Sequence, residues 1–146
     1  MKALIFGIGG QDGAYLSRFL LLKGYSLFGT SRDSMSSSFS NLVRLDIKDK
    51  IKLYSVDVSD FRSVLKHVDM IKPDEIYNLS GQTSVSLSFE QPFEAMESIA
   101  KATMNILEAI RFSNNDIRFY NAGSSDCFGD TGETYANELS PFNPCS

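Results

Sequence analysis

Lys2-Ala-Leu-Ile-Phe-Gly7-Ile-Gly9-Gly10-Gln11-Asp12-Gly13-Ala-Tyr-Leu16 opens the chain, and the reading of this stretch decides the fold. Ala3 to Phe6 form an apolar run of strand length, and a glycine-rich turn follows at once. Beyond it, Tyr15, Leu16, Phe19, Leu20 and Leu22 recur with helical spacing until Lys23-Gly24 stops the helix. The order is strand, tight turn, helix. Gly7, Gly10 and Gly13 let the backbone turn sharply, approach a pyrophosphate closely and seat the helix against the strand. The helix N-terminus then offers unpaired N–H groups and the positive end of its dipole to phosphates. The spacing is G-x-x-G-x-x-G. Read as G-x-G-x-x-G from Gly7, the last glycine position falls on Asp12, so that template fails. A glycine pattern alone fits an ordinary βα turn; between a buried strand and an amphipathic helix it points to dinucleotide binding.

With 146 residues and 42% hydrophobic content the chain is read as one domain, 1–146, with a substantial core. A net charge of −4 argues against nucleic acid or an anionic membrane as partner. No run approaches the length of a membrane span, and the short N-terminal apolar run is already accounted for as a strand, so no signal peptide is expected. Cys127 and Cys145 make neither a disulfide framework nor a metal motif. With His67 the single histidine, the expectation is a reduced cytoplasmic protein without a metal.

Strand and helix alternate from there on. Tyr25 to Thr30 read as the second strand, closed by Ser31-Arg32-Asp33, and Ser34 to Ser40 as a mobile serine-rich loop. Ile51 to Val56 form the third strand and Phe61 to Ile71 a helix with Val64, Leu65, Val68 and Ile71 on one face. Glu75 to Leu79 make the fourth strand. A long helix spans about Phe93 to Arg111, with Met96, Ile99, Ala100, Thr103, Ile106, Leu107 and Ile110 as its apolar side. Ile117 to Asn121 form the fifth strand. Such alternation predicts an α/β fold with a doubly wound parallel sheet. Ligands in these sheets bind at the carboxyl ends of the strands, where every polar cluster of this chain falls.

Those clusters are Gly7 to Gly13, Asp57-Val58, Ile76-Tyr77-Asn78-Leu79-Ser-Gly-Gln82-Thr83, and Ala122-Gly-Ser124-Ser125-Asp126-Cys-Phe-Gly129. Together they resemble the extended short-chain dehydrogenase/reductases, and within them the GDP-mannose 4,6-dehydratase family. That family's first turn reads T/S-G-x-x-G-Q-D-G-x-Y-L, its fourth strand ends Y-N-L-x-A-Q-S, and its fifth ends in S-T-S-E-L-Y-G. Glu138-Leu-Ser-Pro141-Phe142-Asn-Pro144 resembles the E-x-x-P-F-x-P that precedes the family's Tyr-x-x-x-Lys. The resemblance implies an NAD(P)-binding Rossmann domain, incomplete before the Tyr-x-x-x-Lys helix and without the substrate domain. Tyr135 cannot supply that motif, because Leu139 stands four residues on. The chain by itself is therefore expected to be inactive.

The cofactor residues follow from position and resemblance together. NAD-preferring folds carry a carboxylate near the end of the second strand, and NADP folds an arginine. Arg32 stands there, in the place of the first of the family's paired arginines, and Asp33 replaces the second. A guanidinium bonds phosphate through two N–H groups, which favours NADP, with NAD the alternative. The resemblance implies that Asp57 accepts from the adenine amino group and Val58 packs on the ring. Leu79, Ser80, Gly81 and Gln82 would line the ribose and pyrophosphate, alongside Gly7, Gly10, Gln11, Asp12 and Gly13.

Chemistry is implied at the fifth strand. In this lyase reaction C4 of the sugar loses a hydride to the cofactor, the C5 proton is removed, water leaves from C6, and the hydride returns there. Ser124 aligns with the family's threonine at O4 and Asp126 with its glutamate at C5, each keeping the functional group. A polar loop after a buried strand is the plain alternative. A nucleotide-sugar epimerase or reductase and a non-catalytic dinucleotide-binding module are the other functions the pattern admits. The implied substrate is a nucleotide sugar, GDP-mannose first among them. His67 reads as a surface residue, and Phe112, Phe119 and Tyr120 as packing. In the family the long helix helps build a four-helix dimer interface, so a homo-oligomer is expected.

Overall fold

Five parallel strands position everything else. The computed structural model describes residues 1–113, 116–132 and 135–145. Strands β1 (Lys2–Phe6), β2 (Ser26–Ser31), β3 (Ile51–Ser55), β4 (Glu75–Asn78) and β5 (Arg118–Asn121) lie in the order β3-β2-β1-β4-β5, with every neighbouring pair parallel. Ala3, Leu4, Ile5 and Phe6 of the central strand have no exposed surface. A strand covered on both faces reads as a continuous apolar run, which is how β1 announces itself in the sequence.

Successive side chains of a strand leave on opposite faces, so β1 feeds two cores. Ala3 and Ile5 pack with Ile8, Ala14, Leu20, Leu27 and Leu42, under α1 (Gln11–Leu22) and α2 (Ser40–Arg44). Leu4 and Phe6 pack with Val56, Val64, Val68, Ile76 and Ile106, under α3 (Phe61–Ile71) and α6 (Ala102–Ser113). The expected doubly wound sheet is present. Asp60 starts α3 by accepting the Arg62 N–H at 3.0 Å, a side-chain N-cap.

Three expectations need correction. The serine-rich stretch is folded rather than open: the Asp33 carboxylate accepts from the backbone N–H groups of Met35 and Ser36 and from the Ser36 hydroxyl, and Ser40 already begins α2. A further short helix, α4 (Val85–Glu90), follows β4 in a stretch to which the sequence reading assigns no element. The long helix runs as α5 (Pro92–Met96), a π-helical turn (Glu97–Lys101) and α6, and its core-facing line downstream of that turn is Ala102, Ile106 and Ala109. Met96, Ile99, Ala100 and Leu107, read as its apolar side, face outward. Tyr120 and Phe112, read as packing residues, are also mostly exposed, though the Phe112 ring meets that of Phe61 at 5.9 Å. Tyr120 belongs to β5, which among the described residues is an edge strand with one neighbour. Among the described residues, no helix is long and apolar enough to cross a membrane.

Candidate functional site

Sheet order reverses at β1, and in open parallel sheets that switch point is where a crevice opens. The glycine turn sits over it. Gly7 has φ +81°, and a Cβ there would stand 2.6 Å from the Leu79 carbonyl oxygen, so any side chain would collide with the loop after β4. At Gly13 a Cβ would meet the Gly7 carbonyl at 2.7 Å, which is why α1 can lie this close to β1. Gly10 caps α1 without a side chain, leaving the N–H groups of the first turn to a ligand.

Two adjoining cavities, about 610 and 710 Å³, meet over this turn and share Gly7, Gly10, Leu79, Ser80, Gly81 and Gln82. Arg32, Asp57 and Val58 line the first, with Thr30, Ser31, Glu94, Glu97 and Ser98. Gln11, Asp12, Gly13, Ser124 and Asp126 line the second, with Thr83, Ser84, Ser88 and Thr103. Every candidate residue of the sequence reading therefore borders one cleft. A bare glycine cradle, an uncapped helix start and a cleft running from Arg32 to Asp126 fit a dinucleotide in extended form.

At the first end, Arg32 is exposed at the rim and enters no ion pair among the described residues. Asp33 does not line the cleft. It is committed to its own turn, where the Ser36 hydroxyl and then the N–H groups of Ser36 and Met35 hold its carboxyl below the usual value. Asp57 spends Oδ1 on the N–H and hydroxyl of Ser59 at 2.9 and 2.8 Å. The Val58 carbonyl accepts from Asn105 of α6 at 2.9 Å.

At the other end, the Ser124 oxygen accepts the Asp126 N–H at 3.2 Å and so starts the 3₁₀ turn Ser125–Phe128. Its hydroxyl proton stays available to a ligand oxygen. Behind these residues lies Asn78, 3% exposed, whose Nδ2 donates to Asn121 Oδ1 at 2.7 Å. Its Oδ1 accepts the Ser80 hydroxyl at 2.6 Å. The sequence reading assigns Asn78 no role, although a polar residue in a buried strand is the signal for one. Asn41 was missed altogether: from α2 its amide donates to the Gly9 carbonyl at 3.1 Å and braces the glycine turn.

The family model described as GDP-mannose 4,6 dehydratase matches residues 4–146. Among curated proteins, GDP-mannose 4,6 dehydratase 1 of Arabidopsis thaliana is 41% identical over 99% of this chain. The GDP-mannose 4,6 dehydratases of Drosophila melanogaster and Homo sapiens are 40% and 36% identical, again over 99%. The chain spans 42%, 38% and 41% of these relatives' lengths. Among solved structures, UDP-glucose 4-epimerase of Thermus thermophilus, a complex with NAD, superposes with a TM-score of 0.84 at 22% identity, over 99% of this chain and 45% of that one. A dTDP-glucose 4,6-dehydratase from Streptomyces venezuelae, with NAD bound, gives 0.84 at 18% identity, over 99% and 46%. At such identities these two structures speak for the fold alone.

Proposed function

The chain belongs to the GDP-mannose 4,6-dehydratase family, and from that premise we propose that its cleft holds NADP and serves the 4,6-dehydration of a nucleotide sugar, GDP-mannose, in a cytoplasmic homo-oligomer. The observation that carries the reading is the single cleft bordered by every candidate residue. Gly7, Gly10 and Gly13 give the pyrophosphate its close approach, with Gln11 and Asp12 in the first turn of α1 beside it. Leu79 to Gln82 cover the ribose and pyrophosphate side. Asp57 and Val58 take the adenine, and Arg32 the 2′-phosphate.

A nicotinamide cofactor held by these residues would supply the hydride exchange between C4 and C6 of the sugar. The residues of this chain handle the oxygens and protons. Ser124 donates a hydrogen bond to O4 and holds the sugar in register, without transferring a proton. Asp126 receives the C5 proton, which a ketone at C4 acidifies, and a proton passes from its carboxyl to the departing C6 hydroxyl, which leaves as water. None of the tyrosines in these 146 residues has a lysine four positions on, so this polypeptide by itself is expected to form no 4-keto sugar.

Calorimetric titration tests the cofactor end. NADP is expected to bind more tightly than NAD, and Arg32→Ala to erase most of the difference. A charge-assisted bond contributes roughly 1.5–3 kcal/mol, or about 10- to 150-fold in affinity. Equal affinities in the unmodified chain would overturn the 2′-phosphate assignment, and binding of neither dinucleotide would overturn the reading of the cleft.

A further inference from the structure

We propose that Ser98 and Thr103, brought toward one side of the long helix by its π-helical turn, are positioning residues of the cleft. Ser98 fixes the loop after β4, and Thr103 fixes the ends of β4 and β5. The inference deepens the dinucleotide reading above and rests on it for its consequence.

In an unbroken α-helix, residues five apart point about 140° away from each other. A π turn bonds residue i to i+5 and swings them toward a common side. Ser98 lies inside the π turn Glu97–Lys101 and Thr103 just beyond it. Both hydroxyls bond back onto the helix, Ser98 to the Ala95 carbonyl at 3.3 Å and Thr103 to the Ile99 carbonyl at 2.7 Å. Such back-bonds bend helices, and they also leave the oxygen lone pairs free to accept. The Ser98 oxygen accepts the Gln82 N–H at 3.2 Å. The Thr103 oxygen accepts from Asn78 Nδ2 at 3.4 Å, the same amide that ties Asn121 at the end of β5.

Ser98 borders the cavity that contains Arg32, and Thr103 the one that contains Asp126. One helix thus sets how the two halves of the cleft stand to each other. A ligand that reaches the loop after β4 should sense the tether, whereas one confined to Arg32, Asp57 and Val58 should not.

The test uses this chain, amide hydrogen exchange and two probes, NADP and adenosine 2′-monophosphate. In Ser98→Ala, exchange at the Gln82 amide should rise at least tenfold. NADP should bind about 5- to 10-fold more weakly and adenosine 2′-monophosphate within twofold of before; Ser98→Thr should restore both readings. Thr103→Val should speed exchange at Ala122, whose N–H bonds the Asn78 carbonyl at 3.0 Å, and spare Gln82. Unchanged protection of Gln82 in Ser98→Ala overturns the proposal whether or not any dinucleotide binds. Equal loss of both probes, or faster exchange throughout the sheet, reduces Ser98 to a general structural role and overturns it too. If the unmodified chain binds no NADP, the dinucleotide reading fails, and the Gln82 exchange decides the tether by itself.

Discussion

Glu75 begins β4 at the end of the sheet remote from the cleft, and three side chains converge on its buried carboxylate. The Tyr77 hydroxyl donates to it at 2.7 Å, the Tyr25 hydroxyl at 3.3 Å, and the Arg118 guanidinium pairs with it. Burial, and then the carboxylate that accepts its proton, push the Tyr77 hydroxyl up to about 12. The same causes raise Tyr25. An unfolded tyrosine titrates near 10, so between about pH 10 and 12 the folded chain holds a proton that the unfolded chain has lost. The stabilisation is intact below pH 10 and disappears as pH rises through 12. Tyr77→Phe should therefore flatten the fall in stability over that window, and should cost about 0.5–1.5 kcal/mol at neutral pH. Urea midpoints from pH 8 to 12 check this. An identical alkaline slope in Tyr77→Phe would remove the coupling. Little of this cluster was legible in the sequence, because Tyr25, Glu75 and Arg118 meet only through strand pairing.

At the scale of elements, α1 and α3 were legible because each is long enough to show its period and carries a stop or a cap. The helices α2 and α4 were not; with five and six residues they fall short of two turns, where periodicity says little. The long helix is the instructive case. Large apolar side chains point in the sequence to its inner face, yet two of the three buried positions downstream of the π turn are alanines, small enough for a close approach to α3 and the sheet. Ile106 is fully buried there and Met104 is 65% exposed. Truncating a buried isoleucine removes transfer energy and leaves a cavity, so Ile106→Ala should destabilise by about 2–5 kcal/mol. Met104→Ala should fall within about 0.5 kcal/mol of the parent. Chemical denaturation of the two variants compares them directly, and the reverse order of costs would put Met104 rather than Ile106 in the core.

For the molecule as a whole, the sheet and the cleft were legible for one physical reason: a parallel sheet gathers its strand-end loops on one side, so scattered polar clusters become neighbours. The tethers from α6 and from Asn41 were not, since they depend on helix register and on a folded serine-rich segment. What the sheet leaves uncovered is equally informative. Phe93, Met96, Met104 and Leu107 all stand outward on the long helix, from 47% exposed at Leu107 to 84% at Phe93. Their combined apolar surface is of the order of several hundred Å², which soluble monomers seldom leave open. Association through this face would remove that area from water at roughly 25 cal/mol per Å² before the costs of ordering two copies. The chain is therefore expected to self-associate in a concentration-dependent way. Met104→Glu places a charge in the middle of the face, where burial would be costly, and should shift the equilibrium toward monomer without lowering the denaturation midpoint of the monomer. Light scattering over a dilution series reads the outcome: a parent chain that stays monodisperse and monomeric, and behaves no differently from Met104→Glu, would show that this face needs no partner.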